Sequence, residues 1–225
     1  MHKHRSVSFP SGINLHKDGA ASVIVNVKPE EVLATDFYDM IGRTLNGIVL
    51  TSQPSAPEIS QKLDYLRKSG ITLYSSCFAE NDIPLLKLQE AAMVYANHLC
   101  SMRFLQGPSE RAPTAVIIRD EAPNQWTILE QITPTVIFLC PTAERLRYCR
   151  LFFEWLENKK IETPVILGFR YDCSKEDLIV RAAVDFGSLF CDRIGDGIWI
   201  DAPYEAEFLK NLSFNILKAA GISSG

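Results

Sequence analysis

Hydrophobic and polar positions divide this chain into two kinds of segment that follow one another in turn. Short, almost uniformly apolar runs are typical of strands buried on both faces of a parallel sheet, and longer stretches with one apolar face are typical of the helices that cover it. The predicted strands are residues 22–27, 46–52, 71–77, 114–120, 135–140, 164–169, 188–191 and 198–200. This order predicts an α/β fold with parallel strands.

Capping signals mark several of the predicted helices. Ser55–Glu58 and Ser174–Asp177 have the spacing of capping boxes, and Gly70 is placed to end the first of these helices. The predicted helices are residues 29–42, 55–70, 81–102, 126–130, 142–156, 174–187 and 207–220.

The predicted elements form a TIM-like (β/α)8 barrel in a single domain, residues 22–225, preceded by an N-terminal arm or hairpin, residues 1–21. The expected irregularity is a missing helix between the last two strands, where the polar turn Asp192–Gly197 leaves no room for one. An open doubly wound sheet is the alternative, because periodicity counts strands without showing that the sheet closes.

Active sites of such barrels lie where the strands end, so the polar residues at those positions are the candidates for chemistry. Arg119 and Arg170 can clamp a phosphate, and Asp120, Asp172 or Asp192 can act as an acid or base. The favoured interpretation is structural, with these side chains as solvated strand ends and internal ion pairs. The full set is Ser52, Gln53, Ser75, Ser76, Arg119, Asp120, Glu121, Cys140, Arg170, Tyr171, Asp172, Asp192, Arg193 and Asp196.

The turn Arg193–Gly197 has two glycines and follows a predicted strand, as phosphate-gripping loops of barrels do. Asp196 opposes that role, because an uncompensated carboxylate raises the cost of binding an anion. We therefore predict a structural turn, in which Gly195 and Gly197 allow a tight backbone.

Composition limits the partners. The chain has 225 residues, 47% of them hydrophobic, which is enough for one sizeable core. A net charge of -4 without a basic cluster argues against nucleic acid and anionic membranes as partners. Because no apolar run approaches the roughly 20 residues of a membrane helix, we expect a soluble, cytoplasmic protein.

The cysteines and histidines show no catalytic or metal-ligand spacing. Without a Cys-x-x-Cys pair, the cysteines are expected to be free thiols, which makes a thiol or metal protein improbable. Cys140, Cys149 and Cys191 are predicted to be small core residues, and Cys77 and Cys173 to be more exposed. The remaining residues of these types are Cys100, His2, His4, His16 and His98, with His98 expected to be a surface or packing residue.

The C-terminal half contains an ordered set of positions that match a known family: Pro164–Ile166, Glu176–Leu178, Gly187–Leu189, Asp192, Gly195–Gly197, Asp201–Pro203, Phe208–Leu209, Asn211 and Ser213–Asn215. A weaker match is His16–Gly19 followed by the strand at Ser22–Val27. Through these positions the chain resembles the long form of hydroxymethylbutenyl diphosphate synthase, and residues 107–134 match that family least well.

The resemblance implies a place inside a larger enzyme of isoprenoid synthesis. Such enzymes have a barrel that binds the cyclic diphosphate substrate, an inserted second barrel, and a small domain that holds a [4Fe-4S] cluster on three cysteines and one glutamate. Ferredoxin or flavodoxin supplies their electrons. The chain resembles the inserted barrel alone, and we expect its neighbours in the parent to be the substrate barrel and the iron-sulfur domain.

The resemblance therefore implies a non-catalytic spacing and docking domain of an oxidoreductase. No catalytic, cofactor-binding or metal-binding residue is assigned to the chain itself. The alternative is a free-standing barrel enzyme that acts on a phosphorylated small molecule at the strand ends.

Overall fold

Eight parallel strands close into a barrel in sequence order in the computed structural model, which describes residues 21–34, 37, 45–76, 82–102 and 113–222. Side chains are described throughout these ranges except at residues 98–102. The strands are β1 (Ser22–Val27), β2 (Gly47–Leu50), β3 (Thr72–Ser75), β4 (Ile83–Lys87), β5 (Ala115–Ile118), β6 (Val136–Leu139), β7 (Val165–Arg170) and β8 (Gly197–Asp201). Pairing of β1 with β8 closes the ring, which confirms the TIM-like barrel and rules out the open sheet.

Helices follow most of the strands. A 3-10 helix, Pro29–Leu33, follows β1, and the rest of the helix predicted to reach residue 42 lies largely outside the described residues. The α-helices of the described residues are α1 (Pro57–Lys68), α2 (Leu88–Met102), α3 (Ile128–Ile132), α4 (Arg145–Lys159), α5 (Lys175–Cys191) and α6 (Ala206–Ala219). No described helix is long and apolar enough to cross a lipid bilayer. The predicted arm, residues 1–21, lies outside the described residues except for Ala21.

The helix-capping signals read from the sequence are confirmed at Gly70 and Ser174 and are wrong at Ser55. Gly70 has a φ of +90° just beyond α1, and the Ser174 hydroxyl accepts a hydrogen bond from the Asp177 amide at the start of α5, as predicted. The capping box predicted at Ser55 does not form, because Ala56 occupies the N-cap position and makes no side-chain cap.

The predicted seventh strand is wrong. Residues 188–191 are the last turn of α5, which therefore lies between the last two strands, β7 and β8. Leu189 and Phe190 are buried together with Phe186, at the i, i+3 and i+4 spacing of one helical face. A short apolar run has the same composition in a buried strand and in the last turn of a helix, so the run alone could not separate them.

The strand that the sequence analysis missed is β4. Its residues Ile83–Lys87 were assigned to the start of a long helix, because α2 begins at Leu88 with no polar break between them. β4 pairs in parallel with β3, with Tyr74 opposite Ile83. Only residues 76–82 connect these two strands, fewer than the ten or more that a helical crossover takes. The connection too short for a helix is therefore the one between β3 and β4, and not the one between the last two strands.

Side chains fill the inside of the barrel. Inward residues of the strands form one apolar cluster, in which the ring of Phe138 lies 5.0 Å from that of Tyr74 and 5.4 Å from that of Trp199, both edge-on. A second, larger cluster lies between the strands and the helices, with Phe169 of β7 stacked on Phe186 of α5 at 4.5 Å. The interior of the barrel is therefore a packed core among the described residues.

Candidate functional site

A cavity of about 250 Å³ lies at the carboxyl ends of β5 to β8, the end of a barrel at which active sites are found. Its wall includes Arg119, Cys140, Arg170, Asp172, Trp199 and Asp201. The structure therefore brings together four candidates that the sequence placed on three different strand ends, Arg119, Cys140, Arg170 and Asp172. We call this space the mouth cavity.

The floor of the mouth cavity is closed by close packing at Gly168. A Cβ atom at this position would lie 2.6 Å from the sulfur of Cys140 and 2.7 Å from the Cε3 atom of Trp199. Such distances leave no space for any side chain, so the glycine is required by the contact between three neighbouring strands. A ligand in the cavity would rest on the Cys140 and Trp199 side chains.

A chain of side-chain hydrogen bonds holds one wall of the cavity. The Nδ2 atom of Asn26 donates to Oδ1 of Asp201 at 2.7 Å, and Nε1 of Trp199 donates to Oδ1 of Asn26 at 2.9 Å. The sequence analysis missed Asn26 and Asp201 as site residues. The available signal was the alternation of inward positions along β1 and β8, which places both on the inner face just above the apolar layer.

Arg145 ties the mouth to the outer helices. Its Nη1 atom donates to Oδ2 of Asp185 at 3.1 Å, and its Nη2 atom donates to the carbonyl of Arg170 at 2.6 Å. The Tyr171 hydroxyl donates to the same Asp185 oxygen at 2.9 Å, beneath the Arg145 guanidinium. Burial and the neighbouring Asp185 carboxylate raise the pKa of Tyr171, so the hydroxyl keeps its proton and remains a donor.

The carboxylate of Asp120 is held by hydrogen bonds and has a structural role. Its Oδ1 accepts from the Thr142 amide at 2.9 Å, and its Oδ2 accepts from the Thr142 hydroxyl at 2.5 Å. Desolvation alone would raise its pKa, but these bonds and one from the Ala143 amide lower the pKa below its ordinary value. A carboxylate held in its charged form is a poor general acid.

The other candidates at the strand ends are dispersed. Ser52, Gln53 and Ser76 are exposed, whereas Ser75 is buried in β3. The carboxylate of Glu121 turns back and accepts a hydrogen bond from the amide of Arg119.

The turn before β8 lies at the opposite end of the barrel from the mouth cavity. Asp196 bridges the amino ends of the strands, because its amide donates to the Val165 carbonyl at 2.8 Å and its carbonyl accepts from the Ser22 amide at 3.0 Å. Its carboxylate also accepts from the Val165 amide at 2.9 Å. The expectation that this turn lies where strands end is wrong, while the preference for a structural turn is confirmed.

Asp192 and Arg193 share that location, so neither belongs to the mouth. The Asp192 carboxylate accepts from Arg150 of α4 at 2.7 Å, in a pair that is about half exposed. Arg193 has a φ of +59°, and Gly195, with a φ of +100°, packs against Leu167. The sequence analysis placed these residues at the wrong end of the barrel because it assigned residues 188–191 to a strand. The loop was therefore expected to follow a strand, whereas it follows α5 and precedes β8.

The cysteines lie in different environments. Cys140 and Cys149 are buried, as predicted, and burial raises the pKa of both thiols, that of Cys149 to about 12. Cys191 is exposed at the end of α5, so its prediction as a core residue is wrong, and Cys173 is half-buried. The remaining cysteine and histidine side chains named above lie outside the described part of the chain.

Within the described residues, no three histidine, cysteine, aspartate or glutamate side chains come together as a possible metal site. The two buried thiols are held in their neutral form by their apolar surroundings, whereas an iron-sulfur cluster needs thiolates. These two buried cysteines therefore do not fit an iron-sulfur cluster.

The chain is similar to a set of curated synthases over nearly its whole length. It is 32% identical over 232 residues to a 4-hydroxy-3-methylbut-2-en-1-yl diphosphate synthase (flavodoxin) from Protochlamydia amoebophila (strain UWE25). That alignment covers 97% of this chain and 35% of the relative. Chloroplastic synthases (ferredoxin) from Oryza sativa subsp. japonica and Arabidopsis thaliana are 27% and 26% identical, over 91% of this chain and 30% of each relative.

The chain therefore spans about a third of the length of the curated relatives it matches. No protein-family model matches it. Among solved structures, a 3-dehydroquinate dehydratase from Aquifex aeolicus VF5 aligns over 88% of this chain and 97% of its own, with 10% identity and a TM-score of 0.33.

Proposed function

We propose that this chain is a non-catalytic scaffold domain of a 4-hydroxy-3-methylbut-2-en-1-yl diphosphate synthase. The premise is that it is homologous to about a third of the length of such synthases. The observation that carries the proposal is the contrast in coverage. The alignments cover nearly all of this chain but only about a third of the length of each relative, as expected of one folded unit within a larger protein.

The parent enzyme in this proposal is an oxidoreductase of isoprenoid synthesis that reductively opens methylerythritol cyclodiphosphate. Its [4Fe-4S] cluster and its substrate barrel belong to the parts of the parent beyond this chain, and flavodoxin or ferredoxin supplies the electrons. The names of the relatives support the kind of redox partner. The role left for this barrel is to hold those neighbouring domains in position.

The outer surface offers a docking face between α4 and α5. Val180 and Val184 lie one turn apart on α5 and are 63% and 60% exposed. They line an open groove of about 810 Å³ whose other side is formed by Arg145, Leu146 and Arg147 of α4. Exposed apolar side chains that lie together beside a groove, rather than singly, favour a surface that another domain covers. The occupant we propose is the remaining two thirds of the synthase chain.

Charged substitutions on this face test the docking proposal in a full-length synthase that contains this barrel. The double variant V180D/V184D should lower turnover with reduced flavodoxin or ferredoxin and should expose the groove to proteolysis. Met93 of α2 is 60% exposed, so M93D is a control with matched exposure that should leave both unchanged. Equal turnover and proteolysis in the docking-face variant and in M93D would refute this docking face.

A free-standing enzyme that acts on a phosphorylated small molecule is the second candidate. The gathering of Arg119, Arg170 and Asp172 at the mouth cavity favours it. Against it, Asp120 and Asp201 both already accept structural hydrogen bonds. The scaffold proposal expects no turnover by the 225-residue chain alone, and turnover that disappears in R119Q or D172N would establish the second candidate instead.

A further inference from the structure

The mouth cavity contains two arginines, Arg119 and Arg170, whose guanidinium groups form no ion pair in the described part of the chain. Arg119 and Arg170 continue the inward series of their strands: Arg119 comes directly after β5 and follows Ala115 and Ile117, and Arg170 follows Ile166 and Gly168 on β7. Alternation thus places both side chains on the inner face, one step above the packed interior.

Neither guanidinium comes within 4.0 Å of a carboxylate oxygen among the described residues. Of the neighbouring acidic groups, Asp185 pairs with Arg145, and Asp120 accepts from Thr142 while its charge also interacts with that of Arg119 at longer range. A guanidinium presents donors in a fixed fork that matches the oxygens of a phosphate group. Two such groups on one small cavity form a site for an anion.

The surroundings hold part of this site in place before any ligand arrives. The backbone of Arg170 is fixed because its carbonyl accepts from Arg145, which is itself held by Asp185. The cavity floor is closed at Gly168 by Cys140 and Trp199. The backbone and the floor of the site are therefore fixed before binding, whereas the two exposed arginine side chains lose rotamer freedom when they bind a ligand.

Acceptors also face the same cavity. Asp201 uses Oδ1 to accept from Asn26, and Asp172 lines the cavity beside Arg170. These carboxylates raise the cost of binding an anion alone, and a ligand that also carries hydroxyl donors offsets this cost by hydrogen bonding to them. At about 250 Å³ the cavity lies below the usual range of drug-sized pockets, so the ligand must be small.

We propose that the mouth cavity is a binding site for a small, hydroxylated phosphate ester, with Arg119 and Arg170 holding the phosphate and Asp172 and Asp201 accepting from the hydroxyls. This site does not depend on the scaffold role, because it is defined on the barrel itself and requires no chemical step. In a scaffold domain, such a ligand is bound without turnover.

Titration calorimetry on the 225-residue chain tests the site, with glycerol 3-phosphate as the probe and glycerol and malonate as comparisons. Saturable binding of glycerol 3-phosphate is expected, with weaker binding of both comparison compounds. R119Q and R170Q should each weaken binding about tenfold or more, since each removes a charged hydrogen bond worth about 1.5–3 kcal/mol. R150Q is the control, because Arg150 pairs with Asp192 at the opposite end of the barrel and its loss should not alter binding.

Far-UV circular dichroism on each variant separates a lost site from a lost fold, and both cavity arginines are exposed enough to be replaced without unfolding. Two results would overturn the site: no saturable binding of glycerol 3-phosphate, or binding by R119Q and R170Q equal to that of the unaltered chain. Tighter binding of malonate than of glycerol 3-phosphate would overturn the assignment to phosphate esters. Arg170 and Asp172 also line the groove between α4 and α5, and the docking face there is tested separately by V180D/V184D in the full-length enzyme.

Discussion

The Nη1 atom of Arg145 on α4 lies 3.1 Å from Oδ2 of Asp185 on α5, and both side chains are about three-quarters buried. This ion pair joins two helices and, through Tyr171 and the Arg170 carbonyl, the end of β7. An ion pair of this kind depends on all its partners, because removing one leaves the others buried without compensation.

We predict that D185A lowers the free energy of unfolding by about 2 kcal/mol, since the Arg145 charge and the Tyr171 hydroxyl both lose their acceptor. Urea denaturation followed by tryptophan fluorescence measures the change. The comparison is D192A, whose partner Arg150 is half exposed, so its loss should be below about 1 kcal/mol. Equal losses in the two variants would show that burial does not strengthen the Arg145–Asp185 pair.

Gly197 at the start of β8 has no space for a side chain. A Cβ atom there would lie 2.7 Å from the carbonyl oxygen of Ser22 and 2.5 Å from Cδ1 of Ile166. Because the Ser22 oxygen belongs to the backbone of the paired strand, it cannot turn away, and we expect G197A to destabilise the barrel by about 2–3 kcal/mol. The midpoint of urea unfolding reports this directly.

Gly187 provides the matched control. It lies within α5, and nothing lies within 4 Å of the position its Cβ atom would take. G187A should raise stability by about 0.5–1 kcal/mol, because alanine is the better helix former. A destabilising effect of G187A similar to that of G197A would mean that the space around each glycine does not control the change in stability.

The hydroxyl of Tyr74 is buried inside the barrel and has no hydrogen-bond partner among the described residues. Burial raises its pKa, so the group stays neutral. Because Y74F removes an unsatisfied polar atom and keeps the ring contact with Phe138, it should stabilise the protein by up to about 2 kcal/mol. Thermal unfolding of the variant measures this gain.

Tyr148 is the tyrosine to compare, since its hydroxyl accepts from Trp126 Nε1 at 3.1 Å and donates to the Glu121 carbonyl at 2.7 Å. Y148F should cost about 1 kcal/mol. If Y74F proves the more destabilising of the two, the Tyr74 hydroxyl is hydrogen-bonded in solution, which would contradict this prediction.

Asp120 gives a pH-dependent prediction. Its pKa is lowered in the folded state from an ordinary value of 3.8, so its hydrogen bonds to Thr142 contribute stability above that pH and are lost as the pH falls through the folded value. D120A should therefore cost about 1 kcal/mol at neutral pH, and the difference from the unaltered chain should shrink below about pH 4. Urea midpoints measured between pH 7 and pH 3 give the comparison. A difference that stays constant over this range would contradict the assignment.

The fold was predictable where the chain separates its elements with polar residues. Strands β5, β6 and β7 were found because Pro, Gly or charged residues bound them on both sides. The sequence analysis missed β4 because Ile83–Lys87 runs into α2 without a boundary. It also read a false strand at Ser188–Cys191, because the buried end of a helix and a buried strand have the same composition. Contacts distant in the sequence decide such cases.

The candidate site followed the same pattern. Arg119 and Arg170 were assigned to the correct end of the barrel because their strands were correct. Asp192 and Asp196 were assigned to the wrong end because the strand before them was not real. Asn26 and Asp201 were not singled out, since their role arises from a hydrogen bond between the first and the last strand, 175 residues apart in sequence.

The aromatic rings of Tyr74, Phe138 and Trp199 fill the interior of the barrel, so the described residues leave no open channel along the barrel axis. A ligand of the mouth cavity would therefore enter and leave only at the carboxyl ends of the strands, and could not pass through the barrel to the turn at Asp196. A neighbouring domain placed over that opening would have to move away before the ligand could exchange, and its motion would then set the rate of exchange.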